Sequence, residues 1–272
     1  MKLDFDKFVM SQSKLKQLEK EENCPRFWFE SYVTESIPRT PNIFMAKGLY
    51  FESLCIGENA HDEEPIEPPS TLFSKGKWTA QGLRVKTQAK RFNNWFSPKS
   101  KNFQGHTITE VQKKVSGNIG GLYWEGIIDF MTKDQEGKEY IWDLKHTEDV
   151  ENTKSVYGWG NYQQLDYVQQ IVYGELFKQQ EKKEADGVYM LVMDSSTKYG
   201  HKRIPVYGWG SETSLLEIDM RTEAFKETVE HYNINGWPEI TNRWECEMCT
   251  VKDCPVRWQP NMGFKDVEGV KL

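Results

Sequence analysis

Long apolar runs are missing from this sequence, and none approaches the roughly 20 residues that a membrane-spanning helix needs. The N-terminus, residues 1–6, is acidic and unlike the basic start of a secretory signal peptide. We therefore expect a cytoplasmic protein with no membrane partner. Basic residues are not in excess either, since 35 lysines and arginines face 41 acidic residues and give a net charge of −6. This balance argues against a dedicated nucleic-acid coat protein, although local basic patches are compatible with it.

Cysteine is also scarce, with 5 residues. In a chain without a secretion signal, cysteines are more often metal ligands or buried thiols than disulfide partners. The 272 residues suffice for a domain with its own core. Charged residues at 28% and aromatic residues at 13% favour a folded protein over a disordered one.

The most informative stretch, residues 120–145, predicts a β-hairpin. Two segments rich in β-branched and aromatic residues, 122–132 and 139–144, are typical of strands. Between them lies a polar, glycine-containing turn at 133–138. The two strands should therefore pair with each other.

Two carboxylates and a lysine lie on this predicted hairpin. Side chains alternate between the faces of a strand, so Asp143 and Lys145 project to the same side. Antiparallel pairing across the turn brings Asp129 of the first strand beside the Asp143 end of the second. A carboxylate pair suits a hard divalent cation such as Mg²⁺. A neighbouring lysine can orient water or stabilise charge on a phosphate.

The Asp-x-Lys pattern is short, and on a solvated strand it is only a surface ion pair that contributes little to stability. Here both carboxylates lie inside apolar segments, 126–130 and 140–144. A charge in such a segment is costly to bury unless it is paired or binds a metal. The setting therefore favours a functional interpretation.

These residues carry a resemblance. Gly-Ile-Ile-Asp-Phe at 126–130, followed by Asp-Leu-Lys at 143–145, resembles motifs II and III of the PD-(D/E)xK nuclease superfamily, in its RecB-like branch. The resemblance implies that Asp129 and Asp143 hold Mg²⁺ or Mn²⁺. It also implies that Lys145 helps to position the attacking water.

A helix predicted at 41–58 contains a third acidic residue, Glu52, among apolar neighbours. Gly-Leu-Tyr-Phe-Glu at 48–52 is similar to motif I of the same superfamily, which implies that Glu52 is a further metal ligand. Many RecB-like members have histidine there, and the glutamate form is associated with phage-type members. The alternative is an ordinary helix glutamate in a salt bridge.

The strongest helical pattern covers residues 161–180. Gln169 and Tyr173 are four residues apart and so share a face. Gln-x-x-x-Tyr resembles the fourth RecB-like motif, which implies a position beside the active site and contact with DNA. Gln163 and Tyr167 have the same spacing, so the register stays open, although the apolar run after Gln169 favours the later pair.

Three of the cysteines, Cys246, Cys249 and Cys254, fall close together near the C-terminus. Thiolates this close can converge on one metal centre, and Cys24 is the natural fourth ligand. The arrangement is similar to the iron-staple nucleases, such as AddB-type helicase-nuclease subunits and CRISPR adaptation nucleases. It implies a structural 4Fe-4S cluster that joins the N- and C-terminal regions. Tetrahedral Zn²⁺ on the same thiolates is the alternative, and Cys55 is interpreted as a core thiol.

The remaining patterns predict helices at 11–22, 78–96 and 214–235 and strands at 107–116, 187–194 and 202–207. With the hairpin, they indicate an α/β fold: a restriction-endonuclease-like mixed β-sheet flanked by helices. We expect a single nuclease domain over 1–272. Its catalytic core is predicted at 41–210 and its iron-sulfur staple at 11–30 and 236–258.

Together the motifs imply a metal-dependent DNA exonuclease of phage or mobile-element origin. It would act in recombination, repair or DNA degradation, in the cytoplasm of a bacterium or a phage-infected host. Two other functions stay open: a non-catalytic nucleic-acid-binding module and a zinc-stapled structural protein. The sequence also leaves open a homo-oligomer and a recombination or helicase partner.

Overall fold

The computed structural model describes residues 2–21, 23–37, 43–57, 66–96, 105–152, 159–160, 165–240 and 254. The chain divides into two compact units. The terminal unit comprises 1–40, 120–122 and 219–272, and the sheet unit comprises 41–119 and 123–218. The predicted single domain over 1–272, with its core at 41–210, stays a prediction.

The helices and strands follow one another in a mixed α/β order. They are β1 Val9–Met10, α1 Gln12–Leu18, α2 Pro25–Tyr32, α3 Ile43–Ile56, β2 Phe73–Ser74, β3 Lys77–Trp78, α4 Ala80–Trp95, β4 Thr107–Ile119, β5 Leu122–Lys133, β6 Glu139–Thr147, α5 Val168–Glu181, β7 Gly187–Asp194, β8 His201–Pro205 and α6 Glu212–Asn235. None of the helices in the described part of the chain is long and apolar enough to cross a membrane.

The sheet unit is built on a mixed sheet in which β4, β5, β6, β7 and β8 are successive neighbours. β5 pairs antiparallel with β6, β6 pairs parallel with β7, and β7 pairs antiparallel with β8. Helices α3, α4 and α5 belong to the same unit. The predicted mixed sheet flanked by helices is therefore confirmed.

The predicted β5–β6 hairpin is also present. Phe130 lies opposite Trp142 in the antiparallel register. The turn closes because Gly137 adopts φ 80°, a conformation that favours glycine. Asp134 Oδ1 also accepts backbone N–H groups within the turn. The second strand is longer than expected and continues to Thr147.

The hydrophobic core of the sheet unit is aromatic. The rings of Phe130 and Trp142 stack with their centroids 5.7 Å apart. Phe51 of α3 and Phe92 of α4 are fully buried in the same cluster. Cys55, interpreted from the sequence as a core thiol, lies there too, and burial raises the pKa of its thiol. The core thus fixes α3 and α4 against the hairpin.

A buried glutamine fixes α4 against the loop between β7 and β8. Gln88 is fully buried, and its Nε2 donates to the carbonyl oxygens of Asp194 at 2.7 Å and Gly200 at 2.9 Å. The helix begins at Thr79, whose side chain accepts the N–H of Gly82 at 3.1 Å. Hydrogen bonds at the start of α4 and at Gln88 therefore fix the position of the helix.

The terminal unit brings the segment around α2 together with the segment that follows α6. Trp28 of α2 stacks on Trp237 with ring centroids 5.5 Å apart. The backbone N–H of Arg26 donates to the carbonyl oxygen of Pro238 at 3.0 Å. Cys24 precedes α2 as its N-cap residue. The segment around Cys24 therefore packs on the segment that follows α6.

Helix α5 is shorter than the pattern at 161–180 predicted. It begins at Val168, so Leu165 and Tyr167 precede it. The Asp166 side chain accepts the N–H of Val168 at 3.1 Å, which favours a turn over a continuing helix. Val168, Val172 and Leu176 are buried, as their helical spacing predicts. Leu165 fits the same spacing, but it lies before the helix begins.

Candidate active site

Asp129 and Asp143 lie side by side on β5 and β6. Each is one residue away from the opposed pair Phe130 and Trp142, whose rings face the core. Because side chains alternate along a strand, the two carboxylates share the opposite face of the hairpin. Asp143 is 0% exposed and Asp129 is 9% exposed. The structure thus brings these two predicted site residues together.

The carboxylate of Asp143 is held by one contact on each oxygen. Its Oδ1 accepts a hydrogen bond from Lys145 Nζ at 2.7 Å. Its Oδ2 accepts one from Gln170 Nε2 of α5 at 3.0 Å. A buried charge needs such partners, because desolvation without them is costly. Lys145 is therefore the counter-ion of this site, as well as its predicted catalytic lysine.

Opposing effects act on the Lys145 ammonium. Burial alone would lower its pKa, but the charges of Asp143 and Asp129 and the hydrogen bond to Asp143 outweigh burial and raise the pKa. The side chain is 31% exposed, so it can be reached from solvent. Lys145 is thus a cation at neutral pH, suited to stabilising negative charge and not to accepting a proton.

For Asp129, in contrast to Lys145, the surroundings disfavour the charged form. Burial, followed by repulsion from Asp143, raises its pKa well above the usual value for aspartate. Its Oδ2 accepts the backbone N–H of Leu144 at 2.6 Å, which offsets part of this effect. The charged form of Asp129 is therefore disfavoured unless a further cation compensates it.

Glu52 of α3 adds a third carboxylate. Its Oε1 accepts a hydrogen bond from Gln112 Nε2 at 2.7 Å. Burial raises the pKa of Glu52; the Gln112 hydrogen bond and Lys145 act against that rise, and Asp143 adds to it. Glu52 therefore interacts electrostatically with both Lys145 and Asp143.

Gln112 itself has an unusual backbone conformation. Its φ is 50°, a value that residues other than glycine rarely adopt within a strand. Such conformations are found at functional sites more often than elsewhere. Within the described residues its buried Oε1 has no hydrogen-bond partner, while its Nε2 holds Glu52.

The predicted pair Gln169 and Tyr173 is also in contact on α5. Gln169 Nε2 donates to Tyr173 Oη at 2.8 Å. Burial, with Asp129 and Asp143 adding to it, raises the pKa of Tyr173, so the phenol stays neutral. The ring packs on Gly126 of β5, where a Cβ atom would lie only 2.6 Å from Tyr173 Cε1. The alternative residue Gln163 lies outside the described residues.

Sequence reasoning missed two glutamines at this site, Gln112 and Gln170. Gln170 is 1% exposed and touches Asp143 directly, whereas Gln169, which was chosen from the sequence, touches Tyr173. The only signal for Gln170 was its place next to Gln169. No signal in the sequence indicated Gln112, because its contact with Glu52 depends on a left-handed backbone conformation.

No metal-binding group of three His, Cys, Asp or Glu side chains is found within the described residues. The chemistry of the donors nonetheless fits a hard divalent cation, because Glu52, Asp129 and Asp143 offer carboxylate oxygens. Burial and mutual repulsion raise the pKa of Glu52 and of Asp129, and a cation would relieve both effects. Since Lys145 holds Asp143 Oδ1, a metal would compete with Lys145 for that oxygen.

Two of the four cysteines predicted as cluster ligands are described. Cys24 is buried, and its Sγ accepts the backbone N–H of Ile240 at 3.4 Å. Cys254 is partly exposed and belongs to the same terminal unit. Cys246 and Cys249 lie outside the described residues.

The sheet and the carboxylate-lysine site define a nuclease-type domain of the PD-(D/E)xK superfamily. A family model described as "PDDEXK-like domain of unknown function (DUF3799)" matches residues 11–252, so the chain belongs to that family. The superfamily predicted from motifs I to III is therefore confirmed. A search of curated protein sequences gave no match.

A solved structure shows the same fold. A protein from Eubacterium rectale, named provisionally as an exonuclease, aligns with a TM-score of 0.60 and 18% identity, covering 92% of each chain. At this identity the likeness concerns the fold alone. The structure of SSO0001 aligns over 91% of this chain and 95% of its own, at 16% identity, but its TM-score of 0.36 is too low to show a shared fold.

Proposed function

We propose that this protein is a metal-dependent DNA exonuclease that hydrolyses phosphodiester bonds. The observation that carries the proposal is the buried Asp143 carboxylate, held between Lys145 and Gln170 beside Asp129. Charged groups are expensive to bury, and clusters with perturbed pKa values are found at functional sites. Membership of a PDDEXK-like family supports nuclease chemistry at this cluster.

The metal ligands in this proposal are Glu52, Asp129 and Asp143, with one or two Mg²⁺ or Mn²⁺ ions. A bound ion supplies a water molecule of lowered pKa and neutralises charge on the phosphate. Lys145, a cation at neutral pH, orients the attacking water and stabilises the charge that develops on the phosphate. The neutral Tyr173, held by Gln169, positions the DNA strand.

End-labelled linear DNA tests the proposal. We expect metal-dependent loss of nucleotides from an end with Mn²⁺ or Mg²⁺, and none with EDTA. The labelled end then gives the polarity. Cleavage of closed circular DNA at the same rate would contradict the exonuclease assignment and favour an endonuclease. DNA binding without cleavage in either metal would favour the non-catalytic module.

Replacing Gln170 with leucine should weaken Mn²⁺ binding to the DNA-free protein by about 10-fold, as expected for a residue that orients a metal ligand. The reason is that Asp143 Oδ2 loses its donor. Mn²⁺ titration followed by electron paramagnetic resonance measures the affinity. Gln179→Leu is the matched control on α5, because Gln179 contacts Asn118 and not a carboxylate of the site. Unchanged Mn²⁺ affinity in Gln170→Leu would remove its positioning role.

The proposal includes a 4Fe-4S cluster on Cys24, Cys246, Cys249 and Cys254. Three closely spaced cysteines support it, and so does the packing of the Cys24 segment on the segment that follows α6, through Ile240 and Pro238. The cluster would join residues 11–30 to 236–258, and the catalytic core is proposed to cover 41–210. Iron and zinc analysis of anaerobically purified protein decides between the cluster and a zinc site.

The biological setting is part of the same proposal. The glutamate form of motif I at Glu52 supports a phage or mobile-element enzyme acting in recombination, repair or DNA degradation. DNA is its proposed partner and the cytoplasm its proposed location. Homo-oligomer formation and a helicase or recombination partner stay predictions.

A further inference from the structure

Beside the carboxylate cluster, one carboxylate oxygen is held by two donors. Glu148 follows β6, and its Oε1 accepts hydrogen bonds from Lys47 Nζ at 3.0 Å and Gln81 Nε2 at 3.1 Å. Lys47 belongs to α3 and Gln81 to α4, so the two donors come from different helices of the sheet unit. Their convergence on one oxygen makes a small anion-binding arrangement.

The burial of the ion pair is asymmetric. The Lys47 side chain is 8% exposed, whereas the Glu148 side chain is 62% exposed. In the described part of the chain, Glu148 is the carboxylate that neutralises Lys47. The Phe44 ring also lies 5.5 Å from Lys47 Nζ. The cation is therefore fixed, and the exposed Glu148 can leave it for water when another anion takes its place, because a buried ammonium without a partner is costly.

A third polar group lies next to this pair. Burial, followed by the charge of Lys47, lowers the pKa of His146 to about 4, so its ring is neutral at neutral pH. Its buried Nε2 has no hydrogen-bond partner among the described residues. His146 also interacts with the charge of Glu148. A neutral imidazole is thus available beside the two donors.

The arrangement is close to the proposed catalytic carboxylates. Lys47 and Glu52 are five residues apart on α3, which corresponds to about 7.5 Å along the helix axis and about 140° around it. Glu148 follows the strand that carries Asp143 and Lys145. The turn of α3 with Lys47 and the end of β6 are thus next to the turn and the strand that carry the proposed metal ligands.

We propose that Lys47 and Gln81 form a phosphate-binding subsite next to the scissile phosphate, which Glu148 occupies when DNA is absent. A phosphodiester oxygen accepts the same two hydrogen bonds as Glu148 Oε1 and carries the same sign of charge. The bound DNA strand displaces Glu148 into solvent. This inference rests on the proposed nuclease function, because it names a further contact of the same DNA strand.

Glu148 then acts as a competitor for the phosphate. Glu148→Gln should tighten DNA binding several-fold, because a neutral amide competes less well for Lys47. Lys47→Met should weaken binding and reduce the slope of log affinity against log salt by about 1, the change expected for one lost phosphate contact. In the Lys47→Met background, Glu148→Gln should add nothing beyond its effect on net charge.

Fluorescence anisotropy with labelled linear DNA, in Ca²⁺ to hold cleavage back, measures these affinities across a salt series. Glu151→Gln is the matched control, because Glu151 is also exposed and paired, with Lys202 at 3.2 Å. It makes the same change in net charge three residues away. Gln81→Ala provides a second test, because it removes one donor to Glu148 and keeps the buried charge of Lys47.

The outcomes separate the subsite from the nuclease function. Equal effects of Glu148→Gln and Glu151→Gln, or an unchanged salt slope in Lys47→Met, would overturn the subsite while DNA binding by the wild type still stands. No DNA binding by the wild type would overturn both. A stronger effect of Glu148→Gln, lost in Lys47→Met and reduced in Gln81→Ala, supports the subsite.

Discussion

Replacing Asp143 with asparagine should abolish cleavage of linear DNA while the protein stays folded. Asparagine has nearly the same shape, and its side chain can still contact Gln170, but it lacks the charge that pairs with Lys145 and would hold a metal. Loss of a single electrostatic group at a reacting centre lowers kcat by about 10²–10³-fold. Loss of a metal ligand should do at least as much. The rate of nucleotide release with Mn²⁺ measures the effect.

Glu136→Gln is the control for this variant. Glu136 is an acidic residue of the same hairpin, but its side chain is 73% exposed and pairs with Lys138 in the turn. Its replacement should leave the rate unchanged. If Asp143→Asn kept the rate of the wild type, Asp143 would not belong to the active site.

Replacing Lys145 with methionine should lower the free energy of unfolding by about 3 kcal/mol in EDTA. Removing one partner of a buried ion pair costs about 3–5 kcal/mol, because the other charge is left uncompensated. We expect the lower end of that range because the Lys145 side chain is 31% exposed. Urea denaturation followed by circular dichroism measures the change.

Manganese should restore much of this stability. A cation that binds the carboxylates of the folded state takes over the role of the ammonium, and a ligand at 100 times its Kd adds about 2.7 kcal/mol. Mn²⁺ should also stabilise Lys145→Met more than the wild type, because Lys145 no longer competes for Asp143 Oδ1.

Lys138→Met is the corresponding control, since Lys138 is 50% exposed and forms a surface pair with Glu136. Its replacement should change stability by no more than about 0.5 kcal/mol. If Lys145→Met were as stable as the wild type in EDTA, the ammonium would not be the counter-ion of Asp143.

The β5–β6 hairpin could be predicted because its signals are local. Alternating apolar residues, a polar turn with Gly137 and the position of Asp143 in an apolar segment are all visible within one stretch of sequence. The register then follows from the turn, and it brings Asp129 to Asp143 without information from elsewhere in the chain. The nuclease superfamily could be identified for the same reason.

The glutamines could not be predicted because their contacts are not local. Gln170 reaches Asp143 because α5 packs with its Gln170 side against β6, a contact between segments distant in the sequence. The apolar spacing at 161–180 predicted a helix but did not show which polar residue would face Asp143. Gln112 reaches Glu52 through a left-handed backbone conformation that nothing in its own sequence requires.

Strand β6 pairs with a strand close to it in the sequence on one edge and with a more distant strand on the other. The pairing with β5 needs only a short turn, whereas the parallel pairing with β7 spans the segment that contains α5. Local contacts form early in folding, because closing a long loop is slower. We therefore expect Asp143 to stay hydrated on an open strand edge until β7 and α5 pack against it. Lys145, two residues away on the same strand, would then already be close by, so that this acid is not buried without its counter-ion.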